Sequence, residues 1–206
     1  MTTRRPSARE RLLTAADRLF YAEGVHAVGI DRLLDEAGVA KGSLFYNFAG
    51  KEELVGAYLE GRAAQRRERI AAHQEGLSDP VEKILAIFEA LAEAAASPTY
   101  NGCPFANANA EATADGVEAR ALRQFRDWLH EQFRTLTQEA GYADTHVLAD
   151  QLQVLYDGAV STSHLDQRAE PVRVAEGIAA QILTSSTRRL DPPFEPQGAA
   201  REPMDA

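Results

Sequence analysis

Cysteine is the scarcest chemical resource in this sequence. One residue, Cys103, serves all 206, which excludes an intrachain disulfide framework and a cysteine-based zinc site. The five histidines (His26, His73, His130, His146 and His164) are scattered, and none forms the tight His-x-x-x-His pair of a helical metal site. No metal and no cofactor is therefore expected. Long apolar runs are missing as well: nothing approaches the ~20 residues that a membrane span needs. The N-terminal run MTTRRPSARERLL has basic residues but no following apolar core of signal-peptide type. A cytoplasmic protein with no membrane partner is the expectation. Val, Ile and Thr never gather in alternating runs, so no strand signal is present.

What the sequence has instead is Ala, Leu, Glu and Arg at helical spacing. The pattern predicts an all-α fold. Ser7 and Glu10 form a capping box ahead of a helix over 8–23, with Leu12, Ala16, Leu19 and Phe20 on its apolar side and Gly24 at its end. Two very short helices follow, one carried by Ile30, Leu33, Leu34 and Ala37, the other over 43–48. Longer helices are expected over 51–73, from 80 to Ser97-Pro98, over 117–139, 146–165 and 171–189. A short Ala-rich helix follows the turn 100–105. The last stretch, LDPPFEPQGAAREPMDA, carries four prolines and no periodicity, and reads as a disordered tail over 190–206.

Net charge is −9, which by itself disfavours nucleic acid, but the charge is unevenly spread. The first 51 residues hold eight basic side chains against six acidic ones, so the acidic excess belongs entirely to the rest of the chain. A mildly basic head on an acidic body is consistent with a nucleic-acid-binding end.

The stretch GIDRLLDEAGVAKGSLFYNFAGKEEL makes that reading specific. Two short helices joined by a tight turn suit a helix-turn-helix, whose second helix offers one face to the major groove. Gly38 permits the left-handed turn residue and Val39 plugs the space between the helices. Leu44, Phe45 and Phe48 form an expected inward stripe, leaving Gly42, Ser43, Tyr46 and Asn47 facing out. Gly42 allows close backbone approach, Ser43 supplies a hydroxyl, and Tyr46 reaches a phosphate. Asn47 reaches a phosphate or reads a base edge. Lys51 opens the next helix, where its ammonium and the free amides together favour a phosphate.

These residues also carry a resemblance. AGVAKGSLFYNFAGKEEL, preceded by LFYAEGVHAVGIDRLLDE, resembles the DNA-binding domain of TetR-family (AcrR-like) transcriptional regulators over roughly residues 8–56. The resemblance implies an N-terminal three-helix helix-turn-helix domain over 1–50 and a C-terminal helical ligand-binding and dimerisation domain over 51–189. It implies a homodimer that binds a double-stranded DNA operator and is released by a small-molecule effector. The DNA-binding set it implies is Gly29, Lys41, Gly42, Ser43, Tyr46, Asn47 and Lys51. A dimer would hold two recognition helices about 34–36 Å apart on a pseudo-palindrome. An effector would act by population shift through the helix that begins at Lys51; corepressor logic has the opposite sign. Two departures stand out: Val28, followed by Gly29, occupies the place where threonine is common in the family, and Asn47 the place where histidine is common.

In the body, the candidate ligand-binding set is Phe88, Tyr100, Phe105, Asn109, Phe125, Trp128, Tyr156 and His164, for a largely apolar effector. For each aromatic taken singly, core packing is the commoner role. The last two long helices are amphipathic, and the family resemblance implies that they pair across a twofold axis. The GCPF turn offers an alternative, a thiol-based sensor through Cys103 near a helix N-terminus, against the commoner buried and inert cysteine. An all-helical enzyme is the remaining class. Ser161, Ser163, His164 and Asp166 are its only cluster and match no nucleophile–base spacing.

Overall fold

The computed structural model describes residues 6–110 and 112–188. These form nine helices: α1 (Ala8–Glu23), α2 (Ile30–Ala37), α3 (Lys41–Asn47), α4 (Lys51–Gln74), α5 (Pro80–Ala95), α6 (Pro104–Asn109), α7 (Val117–Glu139), α8 (Thr145–Asp166) and α9 (Glu170–Ser185). The expected tail over 190–206 lies outside the described residues. Among them, no helix is long and apolar enough to cross a membrane.

The N-terminal head is three helices set around α1. The capping box is present: the Glu10 amide donates to Ser7 Oγ (3.2 Å) and the Ser7 amide to Glu10 Oε2 (2.6 Å). Leu12, Ala15, Ala16, Leu19 and Phe20 form the buried side of α1, which packs on α2, α3 and α4. Gly38 enters the left-handed region (φ 59°, ψ 42°), and the Val39 amide closes α2 onto the Leu34 carbonyl at 3.1 Å. Helix α3 has seven residues, well below the ~12–15 at which an isolated helix becomes stable. It is held by two side chains, Leu44 and Phe48, both buried.

The body is built around α5. Ile84, Ala86, Ile87, Phe88, Ala90, Leu91, Ala92 and Ala95 are all buried, a wider apolar surface than the single stripe the sequence predicts. A helix apolar over most of its circumference belongs in the middle of a bundle, and α5 is packed by α4, α7, α8 and α9. Phe88 stacks on Phe133 (6.0 Å between ring centroids) and meets Tyr156 edge-on at 6.1 Å.

Helix α9 stops earlier than periodicity suggests. It ends at Ser185, because Thr187 and Arg188 run back beside Tyr142: the Ala143 amide donates to the Thr187 carbonyl at 3.1 Å. Tyr142 is buried and its hydroxyl donates to the Leu183 carbonyl at 2.8 Å. This anchor fixes the end of α9 against the α7–α8 connection.

Candidate nucleic-acid interface and effector cavity

The outer face of α3 carries the candidate DNA contacts. Lys41, Gly42 and Tyr46 are exposed, Tyr46 to 90%. Ser43 and Asn47 are half-buried, and Asn47 spends an amide N–H on its own helix, donating to the Ser43 carbonyl at 2.7 Å. A Cβ added at Gly42 would meet nothing within 4 Å, so no internal packing explains a glycine there. The same holds for Gly29, which caps α2 in an extended conformation with no side-chain hydrogen bond. Beside it, Val28 is fully buried, a core role that a hydroxyl would not fill.

One expectation is corrected. Phe45 does not belong to the inward stripe: it is 52% exposed and stands beside Tyr46 on the outer face. On a helix, position i+1 lies about 100° from position i, and Leu44 and Phe48 alone fill the inward side. Phe45 thereby adds an apolar surface to the exposed face of α3 that carries the candidate contacts, of the kind that can meet a thymine methyl.

The positive charge of the head is also less available than a count suggests. Arg18 pairs with Glu36, and Arg32 with Glu23 at 2.7 Å. Arg9 lies over the Phe48 ring, 5.3 Å from its centroid. Arg11 has a structural task that spacing alone does not disclose. Its Nη1 donates to the carbonyls of Ala37 (3.1 Å) and Gly38 (2.8 Å), satisfying the C-terminal end of α2. Lys51 opens α4 as expected, but its ammonium sits 6.0 Å from the Phe20 ring centroid. Partial burial lowers its pKa, with Glu118 of α7 pulling the other way. Among the described basic residues of the head, Lys41 is the one left without a charged, aromatic or carbonyl partner.

In the body, a cavity of about 230 Å³ lies between α4, the turn before α6, α7 and α8, with Phe125, Tyr156 and His164 on its wall. Three of the eight candidate ligand residues are therefore brought together. Phe88 is sealed in the core and Phe105 is buried, stacked on Phe125 at 4.6 Å. Tyr100 faces a neighbouring cavity of about 290 Å³ and donates to the Val160 carbonyl at 3.2 Å. Trp128 lies under Arg67, 5.1 Å from its ring, away from this wall, as is Asn109. Burial raises the pKa of both Tyr100 and Tyr156 against the opposing pull of Arg66, so both phenols stay neutral. Asn107 and Arg66 also line the cavity, and Arg66 is not among the residues expected from sequence.

Cys103 is half-buried. Its sulfur accepts from the Ala106 amide (3.5 Å) as the N-cap of α6, with Arg66 Nη1 at 4.0 Å. The serine–histidine cluster is not assembled as an active site. Ser161 and His164 line the cavity, Ser163 is fully buried, and Asp166 pairs with Arg168 at 3.1 Å. Among the described residues, no group of three His, Cys, Asp or Glu is placed to hold a metal.

The head and the body meet through a compact set of contacts. The Tyr21 hydroxyl donates to the Gly102 carbonyl (3.2 Å) and accepts from the Asn101 amide (2.8 Å), while Asn101 Nδ2 donates to the Tyr21 carbonyl at 2.6 Å. Arg62 of α4 pairs with Asp17 of α1 at 2.5 Å and lies 3.9 Å from the centroid of the Tyr21 ring. Gly56 lets α4 pass close to α7: an added Cβ would come within 3.0 Å of Val117.

Comparison with known proteins agrees with this anatomy. A family model described as "Bacterial regulatory proteins, tetR family" matches residues 12–58. The structure is similar to a TetR-family transcriptional regulator from Streptomyces coelicolor, with TM-score 0.81 and 31% identity, covering 86% of this chain and 94% of that one. The sequence is 38% identical over 85 residues to the HTH-type transcriptional regulator LmrA of Bacillus subtilis, covering 41% of this chain and 45% of LmrA. It is 33% identical over 88 residues to the HTH-type transcriptional repressor KstR2 of Mycobacterium tuberculosis, covering 43% of this chain and 44% of that repressor. The chain thus matches under half the length of these two relatives.

Proposed function

The chain belongs to the TetR family of transcriptional regulators, and on that premise we propose that it is a cytoplasmic, homodimeric repressor released from a pseudo-palindromic operator by a small molecule. The observation that carries this reading is the division of labour along α4. This helix begins at Lys51, just after the recognition helix ends at Asn47, and farther along it Arg66 lines the body cavity. A ligand that prefers a different placement of α4 therefore moves the reading head, and by linkage DNA and ligand oppose each other.

In this reading residues 1–50 are the DNA-binding domain and 51–189 the ligand-binding and dimerisation domain. Lys41, Gly42, Ser43, Tyr46 and Lys51 position the head on phosphates, with Asn47 and Phe45 nearest the base edges. Lys51 does so after swinging off the Phe20 ring. The cavity between α4 and α8 receives the effector, with Phe125 and Tyr156 as its aromatic wall.

Dimerisation is assigned to α8 and α9. Val147, Val154 and Leu165 on α8 and Val174 and Ile178 on α9 are exposed, at 56%, 70%, 77%, 62% and 40%. Nothing lies within 4 Å of a Cβ added at Gly158 or Gly177, so a second copy has room for close backbone approach. Apolar side chains gathered on one two-helix face are the mark of an isologous interface.

The test is binding to DNA upstream of the protein's own gene, measured at several salt concentrations. A sequence-preferring, salt-dependent complex is expected, with Tyr46→Ala and Lys51→Ala weakening it uniformly across sequences. Absence of any such complex overturns the operator reading; relaxed preference at one base pair overturns the phosphate roles.

A further inference from the structure

We infer that the cavity between α4 and α8 takes a small organic carboxylate, its charged head on Arg66 and its apolar body against Phe125 and Tyr156. This rests on the cavity being the effector site.

Two arginines near Arg66 already have carboxylates. One turn earlier, Arg62 is paired with Asp17; across the cavity, Arg126 is paired with Asp157. Arg66 has no carboxylate partner among the described residues. Its guanidinium offers five N–H donors and keeps its charge at any physiological pH. Against these the protein supplies one carbonyl, that of Gly102 at 3.3 Å from Nη2, and a long contact to the Cys103 sulfur at 4.0 Å. The faces of Phe105 and Phe125 lie 5.8 and 5.4 Å from its central carbon. Those rings favour a cation but leave most of its N–H groups unused.

A partly buried cation without a counter-charge is costly. A planar carboxylate relieves that cost best, because two parallel N–H···O bonds match the guanidinium fork. The wall offers Leu122, Phe125, Val160 and the Tyr156 ring to an apolar body, beside Asn107, Ser161 and the Arg126–Asp157 ion pair. The volume, about 230 Å³, exceeds the roughly 150 Å³ apolar cavity that holds benzene. There is room for a ring or short chain together with a carboxylate. His164 is also on this wall, its Nδ1 buried against the Gly102 turn without a partner.

The same geometry provides the signal. The Gly102 carbonyl accepts from both Arg66 and the Tyr21 hydroxyl of α1. Gly102 holds φ +73° with His164 within 3.0 Å of where a Cβ would stand, so this turn has little freedom to adjust independently. A carboxylate that draws the guanidinium away from Gly102 changes the turn that clamps the reading head.

The experiment is calorimetric titration of the full-length protein with benzoate, 2-naphthoate and octanoate, each against its own primary amide, which matches shape but not charge. At least one acid is expected to bind at least about tenfold tighter than its amide. Arg66→Gln is expected to abolish that preference while amide binding persists, and Arg66→Lys to retain part of it. Equal binding of acids and amides to the wild-type protein overturns the carboxylate but leaves the cavity as effector site. Preference surviving in Arg66→Gln overturns the role of Arg66. Failure of every acid and every amide to bind the wild-type protein overturns both the carboxylate and the cavity reading. The acid–amide comparison on wild-type protein stands whether or not the variants fold.

Discussion

Replacing Gly42 by alanine separates the two demands on the recognition helix. Inside the protein the substitution is free of clash: the glycine has helical backbone geometry in α3, and the new methyl meets no atom within 4 Å. Alanine also loses less backbone freedom on folding than glycine, which favours the variant by about 0.5–1 kcal/mol. For a chain of this length that is about 1–4 °C of melting temperature. On DNA the sign reverses. The methyl stands between the first turn of α3 and any phosphate that approaches it. Losing one charge-assisted hydrogen bond costs about 1.5–3 kcal/mol, a ten- to hundredfold loss of affinity per reading head. The assay is thermal unfolding by circular dichroism beside operator binding by fluorescence anisotropy at one fixed salt concentration. A variant that melts higher and binds more weakly bears out the reasoning. One that melts higher and binds as tightly as wild type shows that the Gly42 backbone does not approach DNA, and a lower melting temperature refutes the packing argument.

Three further outcomes follow from the geometry. Arg11→Met leaves the Ala37 and Gly38 carbonyls without their donor, so a loss of about 1–3 kcal/mol in unfolding free energy is expected by urea denaturation; no loss would mean that water caps α2 equally well. Tyr21→Phe removes a hydroxyl that serves both Asn101 and Gly102, and is expected to lower the melting temperature by about 2–8 °C through a loss of about 1–2 kcal/mol. It should also weaken the effector's influence on operator affinity more than it weakens either binding alone; unchanged coupling in a linkage titration would remove this contact from the signal route. Val154→Glu, at a position 70% exposed, is expected to leave helicity intact and to yield monomers by sedimentation velocity, with operator affinity falling accordingly; an unchanged dimer would place the interface elsewhere.

Features that depend on neighbours along the chain are legible in the sequence alone. The capping box at Ser7 and Glu10, the left-handed Gly38 and the proline at the start of α5 each act within a few residues, so local pattern suffices. Phe45 is misassigned by its hydrophobicity because angle decides its place: the inward side is filled by Leu44 within α3 and by Phe48 at its C-cap, so the third apolar side chain faces out. Arg11 and Tyr142 escape the sequence for another reason. Their partners lie 26, 27 and 41 residues away, and nothing local to either residue announces a carbonyl at that separation. The charge of the head is overstated likewise, since counting arginines cannot reveal that Arg18 and Arg32 already have carboxylates.

Arg66 is the instructive omission, because a sequence signal for it exists. On α4 the positions Val55, Leu59, Arg62, Arg66 and Ile70 are spaced by three or four residues, which is the period of one helix face. Val55, Leu59 and Ile70 are buried, so the two arginines occupy inward positions of an otherwise apolar stripe. A cation is carried inward only where something compensates it. For Arg62 the compensation is inside the protein, in Asp17. For Arg66 no carboxylate does this among the described residues, only the Gly102 carbonyl and two aromatic rings. Within the run GRAAQRRERI the two look alike, and composition alone reads all four arginines as a solvated helix face. Periodicity distinguishes Arg62 and Arg66 from Arg67, which is exposed over the Trp128 ring, and structure then distinguishes the inward arginine that has a carboxylate from the one that has none. The residue on which the proposed carboxylate site rests is therefore hidden by its abundance: a charged side chain among charged neighbours, marked only by which side of the helix it faces.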